Sequence, residues 1–353
     1  MGPLLLLLLA CDPLADVRDR ERRYTSAEAL AADGLDLAPV SSGEALPPTL
    51  RVSLWADHVV IDNRAWVLTR PEAVSDPAAA LPWVWERTLP VPTPVPRLTE
   101  FKALGLGNAL QEATEAQRAQ VGDADVPAWA WDTVFVPDAD APAGLLIKAM
   151  HEVGAAGRGG YQFVGRQGDR PVGVLASRAD GGDWQDCLAQ VTLAIDRPAL
   201  MAWRTNVVNP PLCQDLDGAD PASAALAVQR IHKGCAPRWA AATPELAERG
   251  YPAERWACLS VIWTVSDTSA RPAGDLLAAL GAITALGDAV VLGAGAISLG
   301  GGPRGACPAD QALDALEPAA WDALCGVDAT WLAAYPRPAL RMDTPSTALE
   351  RRP

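Results

Sequence analysis

The chain has 353 residues, half of them apolar and a fifth charged, which is a globular composition with room for two domains that each bury a core. A formal net charge of -14 and a pI near 4.7 argue against phosphate-backbone binding, which needs clustered Lys and Arg. Thirteen Trp stand against three Phe, so indole rings must supply most aromatic anchors of cores and interfaces.

The first stretch, MGPLLLLLLACDP, sets six leucines and an alanine ahead of Cys11. The run ending Leu8-Leu9-Ala10-Cys11 resembles the lipobox of bacterial lipoproteins, and that resemblance implies a signal peptide over 1–10 and lipidation of Cys11 by diacylglycerol and palmitate. The rival reading is a buried apolar N-terminal segment. No other stretch approaches about 20 apolar residues, so no transmembrane helix is expected, and membrane contact would come through the lipid. Residues 11–47 are charged, then rich in Ser, Gly, Ala and Pro, and read as a lipid-anchored tether with one short helix at SAEALAA.

From Leu50, alternation at Val52, Leu54 and Ala56, continued through Val59 and Ile61 to Trp66 and Leu68, predicts two strands with a tight connection. After a Pro-rich break, LTEFKALGLGNALQEATEAQRAQVG predicts a helix with Thr99 as its cap and a stripe interrupted by Gly105 and Gly107. DTVFVPDAD is a strand ending in a turn. Pro142 then opens a helix whose apolar face is Leu146, Met150 and Val153, Gly157 closes it at positive φ, and GGYQFVG is the next strand.

The same frame returns 130 positions on. LSVIWTVSD is the strand, Pro272 opens the helix, Leu276, Leu280 and Ile283 form the stripe, Gly287 closes it, and AVVLGAG is the exit strand. The upstream parts match more loosely: RVSL at Arg51 with QVTL at Gln190, and the long helix of the first copy with Pro221 to Gly234. The pattern predicts an internal repeat of strand–helix–strand units with right-handed crossovers. The expected fold class is α/β (α+β), with two related small modules, each a mixed β-sheet packed with helices. Module one covers 48–181, a cysteine-containing module two covers 182–300, and a C-terminal extension with a helical segment between Cys307 and Cys325 covers 301–353.

Six cysteines remain beyond Cys11: Cys187, Cys213, Cys235, Cys258, Cys307 and Cys325. An even number in an exported chain suggests up to three disulfides, and fifteen pairings are open. The absence of any C-x-x-C pair argues against zinc. A cytoplasmic protein with six buried thiols is the alternative.

Chemistry-bearing motifs fail one by one. His151-Glu152 starts like H-E-x-x-H, but position 155 is Ala, and His58 and His232 are isolated. Gly293 and Gly295 follow a strand, yet position 298 is Ser where a dinucleotide fold needs Gly. Asp215, Asp217 and Asp220 offer carboxylates to calcium without EF-hand spacing, and Asp-Gly is an ordinary turn pair. Asp138, Asp140 and Asp267 suit turns and caps. No catalytic, cofactor-binding or metal-ligating set is expected.

Val134 to Val164, with VSLWADHVVIDNRAWVL before it and LSVIWTVSDTSARPAGDLLAALGAITALGDAVVLG after it, resembles the periplasmic domain of the ExbD/TolR family, twice over. The resemblance implies a dimer-forming extramembrane unit that engages envelope proteins or peptidoglycan in biopolymer transport or envelope maintenance. It also puts Asp138, Asp140, Arg158 and Tyr161 forward as surface positions. The family's N-terminal membrane helix with its essential aspartate is missing here, since Asp12 lies beyond the apolar run, so a proton-conducting role is not implied. The expectation is therefore a non-enzymatic envelope lipoprotein on the periplasmic side, at the inner or outer membrane, that binds or scaffolds. It would have no nucleic-acid partner, and a homodimer is a candidate. The rival is an exported hydrolase with an acidic site between the modules, at Asp138 or the Asp215 cluster.

Overall fold

The computed structural model describes residues 27–32, 34–46, 49–62, 86–92, 101–121, 131–158, 160–177, 187–194, 199–202, 212–215, 221–248, 257–266, 268–286, 290–293 and 313–328. In chain order the elements begin with α1 (Ala27–Ala32), β1 (Leu50–Leu54), β2 (His58–Asp62) and β3 (Glu86–Pro90). A 3-10 turn (Lys102–Leu104) precedes α2 (Leu106–Val121), β4 (Thr133–Pro137), α3 (Ala143–Ala155), β5 (Tyr161–Gln167) and β6 (Arg170–Ser177). The second half holds β7 (Ala189–Ala194), β8 (Ala199–Ala202), β9 (Leu212–Asp215), α4 (Pro221–Glu248), β10 (Leu259–Thr264), α5 (Ala273–Thr284) and β11 (Val290–Gly293). A 3-10 turn (Leu313–Ala315) and α6 (Pro318–Cys325) follow.

β1 and β4 are buried at every position, as parallel neighbours covered on both faces should be. Val52, Leu54, Val59, Ile61, Phe135 and Phe163 turn to one face, where the buried stripes of α2 (Leu106, Ala109, Leu110) and α3 (Leu146, Met150, Val153) join them in one core. α3 ends as its sequence predicts. Gly157 has φ +75°, its N–H bonds to the Gly154 carbonyl at 3.0 Å, and the Arg158 N–H bonds to the Val153 carbonyl at 3.3 Å, a Schellman closure. Pro142 sits one place earlier than expected, as the extended cap residue rather than the first helical one.

The opposite face of this sheet presents Val134, Val136 and Val164, and Leu30, Leu35 and Leu37 bury them. The stretch expected to be a tether is thus, over 27–46, part of the fold. Its backbone bonds to β5 and β6: Val40 N–H to the Arg166 carbonyl (2.9 Å), Arg166 N–H to the Ala38 carbonyl (2.8 Å), and Glu44 with Gly173 in both directions (2.8 Å each). Gly165 makes the crossing possible, since a Cβ there would lie 2.5 Å from Val40 Cγ1. Three leucines at wide spacing do not look like a core stripe, which is why the composition alone suggested a linker.

The first sheet runs β3-β2-β1-β4-β5-β6 and the second β11-β10-β7-β8-β9. In the first, β1 lies parallel to β4 and β4 to β5, with β2 and β3 added antiparallel. In the second, β7 lies parallel to β10 and β10 to β11, with β8 and β9 added antiparallel. The two sheets therefore share one order and one set of senses, apart from β6, which turns back from β5 through Gly168 at φ +60°.

Each sheet does not close its own core. α5 packs against β11 and also against β5 and β6 of the first sheet. Phe163 and Trp263 meet edge to face at 6.1 Å, and the buried residues of both halves form one contiguous cluster. Ser41 and Ser42 each donate a hydroxyl to the Gly281 carbonyl, at 2.9 and 3.2 Å, so the N-terminal segment also straps α5.

α4 continues past Gly234, where the sequence suggested its end. That glycine serves contact instead: a Cβ there would lie 2.4 Å from Trp321 Cζ3. α6 docks at this point, with Arg238 Nε donating to Asp322 Oδ1 (3.0 Å) and Trp239 Nε1 to the Cys325 carbonyl (2.8 Å).

Candidate functional site

The repeated Pro-Ala-Gly frame opens α3 and α5 without any Ser, Thr, Asp or Asn at the cap, and neither helix has a side-chain cap. The first N–H groups of a helix need acceptors from elsewhere. Each helix takes them from the other's loop. Ala143 N–H donates to the Arg271 carbonyl and Ala273 N–H to the Ala141 carbonyl, both at 2.7 Å. Gly144 N–H donates to the Ser269 carbonyl at 3.1 Å and Gly274 N–H to the Ala139 carbonyl at 2.9 Å. Pro142 and Pro272 are bridge partners in this short antiparallel contact. They stand between the bonded residues, where a missing N–H costs nothing. The approach is close: a Cβ on Gly274 would lie 3.1 Å from the Ala139 carbonyl oxygen.

The leading ends of the central parallel strands are clipped in both sheets, by different chemistry. In the first, Arg158 is buried and donates to Thr133 Oγ1 (3.0 Å), Gln117 Oε1 (2.8 Å), Thr49 Oγ1 (3.3 Å) and the Asp132 carbonyl (2.8 Å). Thr49 immediately precedes β1 and Asp132 immediately precedes β4, so one guanidinium ties both. Burial pulls its pKa down to about 10 against the opposing pull of Asp132, which leaves it charged at neutral pH. In the second sheet, Cys187 ahead of β7 and Cys258 ahead of β10 lie at disulfide distance, with S–S 2.11 Å and Cα–Cα 4.9 Å. A further pair at disulfide distance, Cys235 and Cys325, joins α4 to α6 with S–S 2.02 Å. The Cys213 backbone lies in β9, while its side chain, Cys307 and Cys11 fall outside the described residues.

Arg158 is thus an interior hub and not a surface position, and Tyr161 is half-buried beside Phe135, with burial raising its hydroxyl pKa. Asp138 is a turn anchor: Oδ1 accepts the Asp140 N–H (3.0 Å) and Oδ2 the Asp36 N–H (2.8 Å). Both carboxylate oxygens therefore serve the backbone. His58 stacks on Trp55 at 4.3 Å and bonds to Asp57 at 2.6 Å, which lowers the Asp57 pKa. His232 packs edge-on against Trp239 and has its pKa lowered by burial. Among the described residues no three His, Cys, Asp or Glu side chains gather as metal ligands. Asp217, Asp220, Asp267, Gly287 and Gly295 fall outside the described residues.

No protein-family model, curated protein or solved structure matches this chain. What remains for recognition is geometry. β3 is the outermost strand of the first sheet, and Glu86, Arg87, Thr88 and Pro90 are exposed. Arg87 is held by Glu112 of α2 at 2.8 Å. Among the described residues nothing pairs with the outer side of β3. No described helix is long and apolar enough to cross a membrane. The clip around Arg158 and the mutual helix caps escaped the sequence reading. Pro-Ala-Gly without a capping residue, twice, was the available signal for the second.

Proposed function

We propose that the protein is a non-enzymatic lipoprotein of the bacterial envelope, anchored through Cys11, whose folded part binds or scaffolds an envelope protein or peptidoglycan. The observation that carries this reading is the pair of cysteine couples at disulfide distance, which bridge separations of 71 and 90 residues. Such bridges persist in oxidising compartments and not in a reducing cytoplasm. No described strand lies beside the outer edge of β3, which supports a binding role, because an extended partner segment adds to such an edge by main-chain hydrogen bonds. Its charges and terminal proline restrict which segment fits. The shared strand order of the two sheets supports a tandem repeat, in keeping with the twofold resemblance to the ExbD/TolR periplasmic domain and its roles in transport or envelope maintenance. With 27–46 docked, residues 12–26 are all that separates the anchor from the fold, a reach of at most about 50 Å.

The test is intact mass of the protein from its native host, with and without alkylation. The reading expects loss of residues 1–10, diacylglycerol on Cys11, and Cys187, Cys235, Cys258 and Cys325 protected until reduction. An unprocessed chain in the cytoplasm with those four thiols free overturns it. Retention on purified sacculi, or its loss, then decides between peptidoglycan and a protein partner.

A further inference from the structure

The contact between the two helix openings obeys a rule that contacts between unrelated loops have no reason to obey. Shifting every residue number by 130 turns each hydrogen bond into its reciprocal. Ala143 to Arg271 becomes Ala273 to Ala141, and Gly144 to Ser269 becomes Gly274 to Ala139. The pair Pro142 and Pro272 maps onto itself. In an isologous, two-fold interface residue i meets j and j meets i, because the same patch faces itself. Five strands of each array follow the same exchange, β1 with β7, β2 with β8, β3 with β9, β4 with β10 and β5 with β11, while β6 has no counterpart in the second sheet. The corresponding strands β3 and β9 are the outermost among the described residues.

We infer that residues 138–144 and 268–274 are two copies of one self-complementary docking surface, whose occupant is a second copy of the same unit, and that this chain fills it internally as a fused dimer. Three features argue for that occupant. The bonds are made by backbone, so they depend on the frame and not on the differing side chains at 139, 141, 269 and 271. The residues in contact at the helix starts are Pro, Ala and Gly in both copies, the types that allow two backbones to approach. The first two N–H groups of each helix bond to the other copy, and neither helix has a side-chain cap of its own. A surface satisfied in this way has no need of a further protomer, so the dimer expected from the sequence resemblance is supplied within one chain.

The test uses the full-length protein. In Pro142→Cys/Pro272→Cys, with Cys11, Cys213 and Cys307 replaced by Ser, mild oxidation yields a cross-link within one chain. The same cross-link forms when Ser269→Ala/Arg271→Ala gives both loops the same residues at the acceptor positions. Absence of the cross-link, a cross-link only between chains, or its loss in the homotypic variant overturns the inference. Hydrogen exchange on the otherwise unaltered chain is the second measurement. Protection at Ala143, Gly144, Ala273 and Gly274 is expected, and Gly274→Val should abolish it on both sides. Loss confined to residues 273 and 274 overturns reciprocity. Either failure leaves the proposed export and lipidation untouched, because those are read by mass.

Discussion

Arg158 gathers Thr49, Gln117, Asp132 and Thr133 around one buried cation, so its loss strands several acceptors in a dry place. Arg158→Met should lower stability by about 3 kcal/mol in urea unfolding, and Arg158→Lys should recover little, since an ammonium cannot span the fork of acceptors. Gly234 sets two effects against each other. Ala in a helix interior gains about 1 kcal/mol over Gly, but overpacking costs about 1–3 kcal/mol, and here the new methyl meets the Trp321 ring rather than a flexible chain end. Gly234→Ala is therefore expected to destabilise, with a change in Trp emission as α6 shifts. For His232 the sign follows from burial, which lowers its pKa in the folded state. The unfolded chain then takes up the proton first. Stability is complete above about pH 6.5, declines as pH falls through that value towards the lower folded pKa, and then levels off. Melting temperature against pH should show that slope in the native chain and lose it in His232→Phe.

At the scale of elements, the clip at the head of β7 and β10 is the counterpart of the one at the head of β1 and β4. A disulfide between Cys187 and Cys258, which lie at bonding distance, would close 71 residues, and such links contribute about 2–4 kcal/mol. Cys187→Ser/Cys258→Ser should cost that much in a denaturant titration and leave the Arg158 network intact. Much of this layer was legible in the sequence. The stripes Leu146, Met150, Val153 and Leu276, Leu280, Ile283 are buried, and the strands at 50–54, 58–62, 133–137, 161–167 and 259–264 fall within stretches read as strands, while the expected continuation to Trp66 and Leu68 lies outside the described residues. Among the features that were not legible, besides β3, β8 and β9, three have a plain physical reason. β6 rests on a two-residue turn at Gly168-Asp169, a signal present but outweighed by the polar run around it. Leu30 lies in the short α1, and only Leu35 and Leu37 follow it in an irregular stretch, too few apolar positions to mark a core-facing element. Gly234 carries the mark of a helix stop, and only the position of Trp321 shows that closeness was the requirement.

Over the whole molecule, the decisive property is that the two sheets share a core. Phe163 against Trp263, Val40 against Gly281 and the mutual caps of α3 and α5 all cross the boundary that the repeat suggests. Two modules with separate cores would melt in two steps, whereas a shared core couples them into one. The distribution of cysteine pairs makes this testable, because both lie in the second half. Reduction removes loop constraints from that half alone. With Trp55 and Trp131 as reporters of the first half, and Trp239, Trp263 and Trp321 of the second, each single-Trp-retaining variant should show an emission transition that coincides with its own far-UV circular dichroism transition. Reduction should then move every reporter down together. A reporter at Trp55 that holds its midpoint while the second half falls would mean that each half stands alone, and that the contact at Pro142 and Pro272 joins two finished domains rather than completing one.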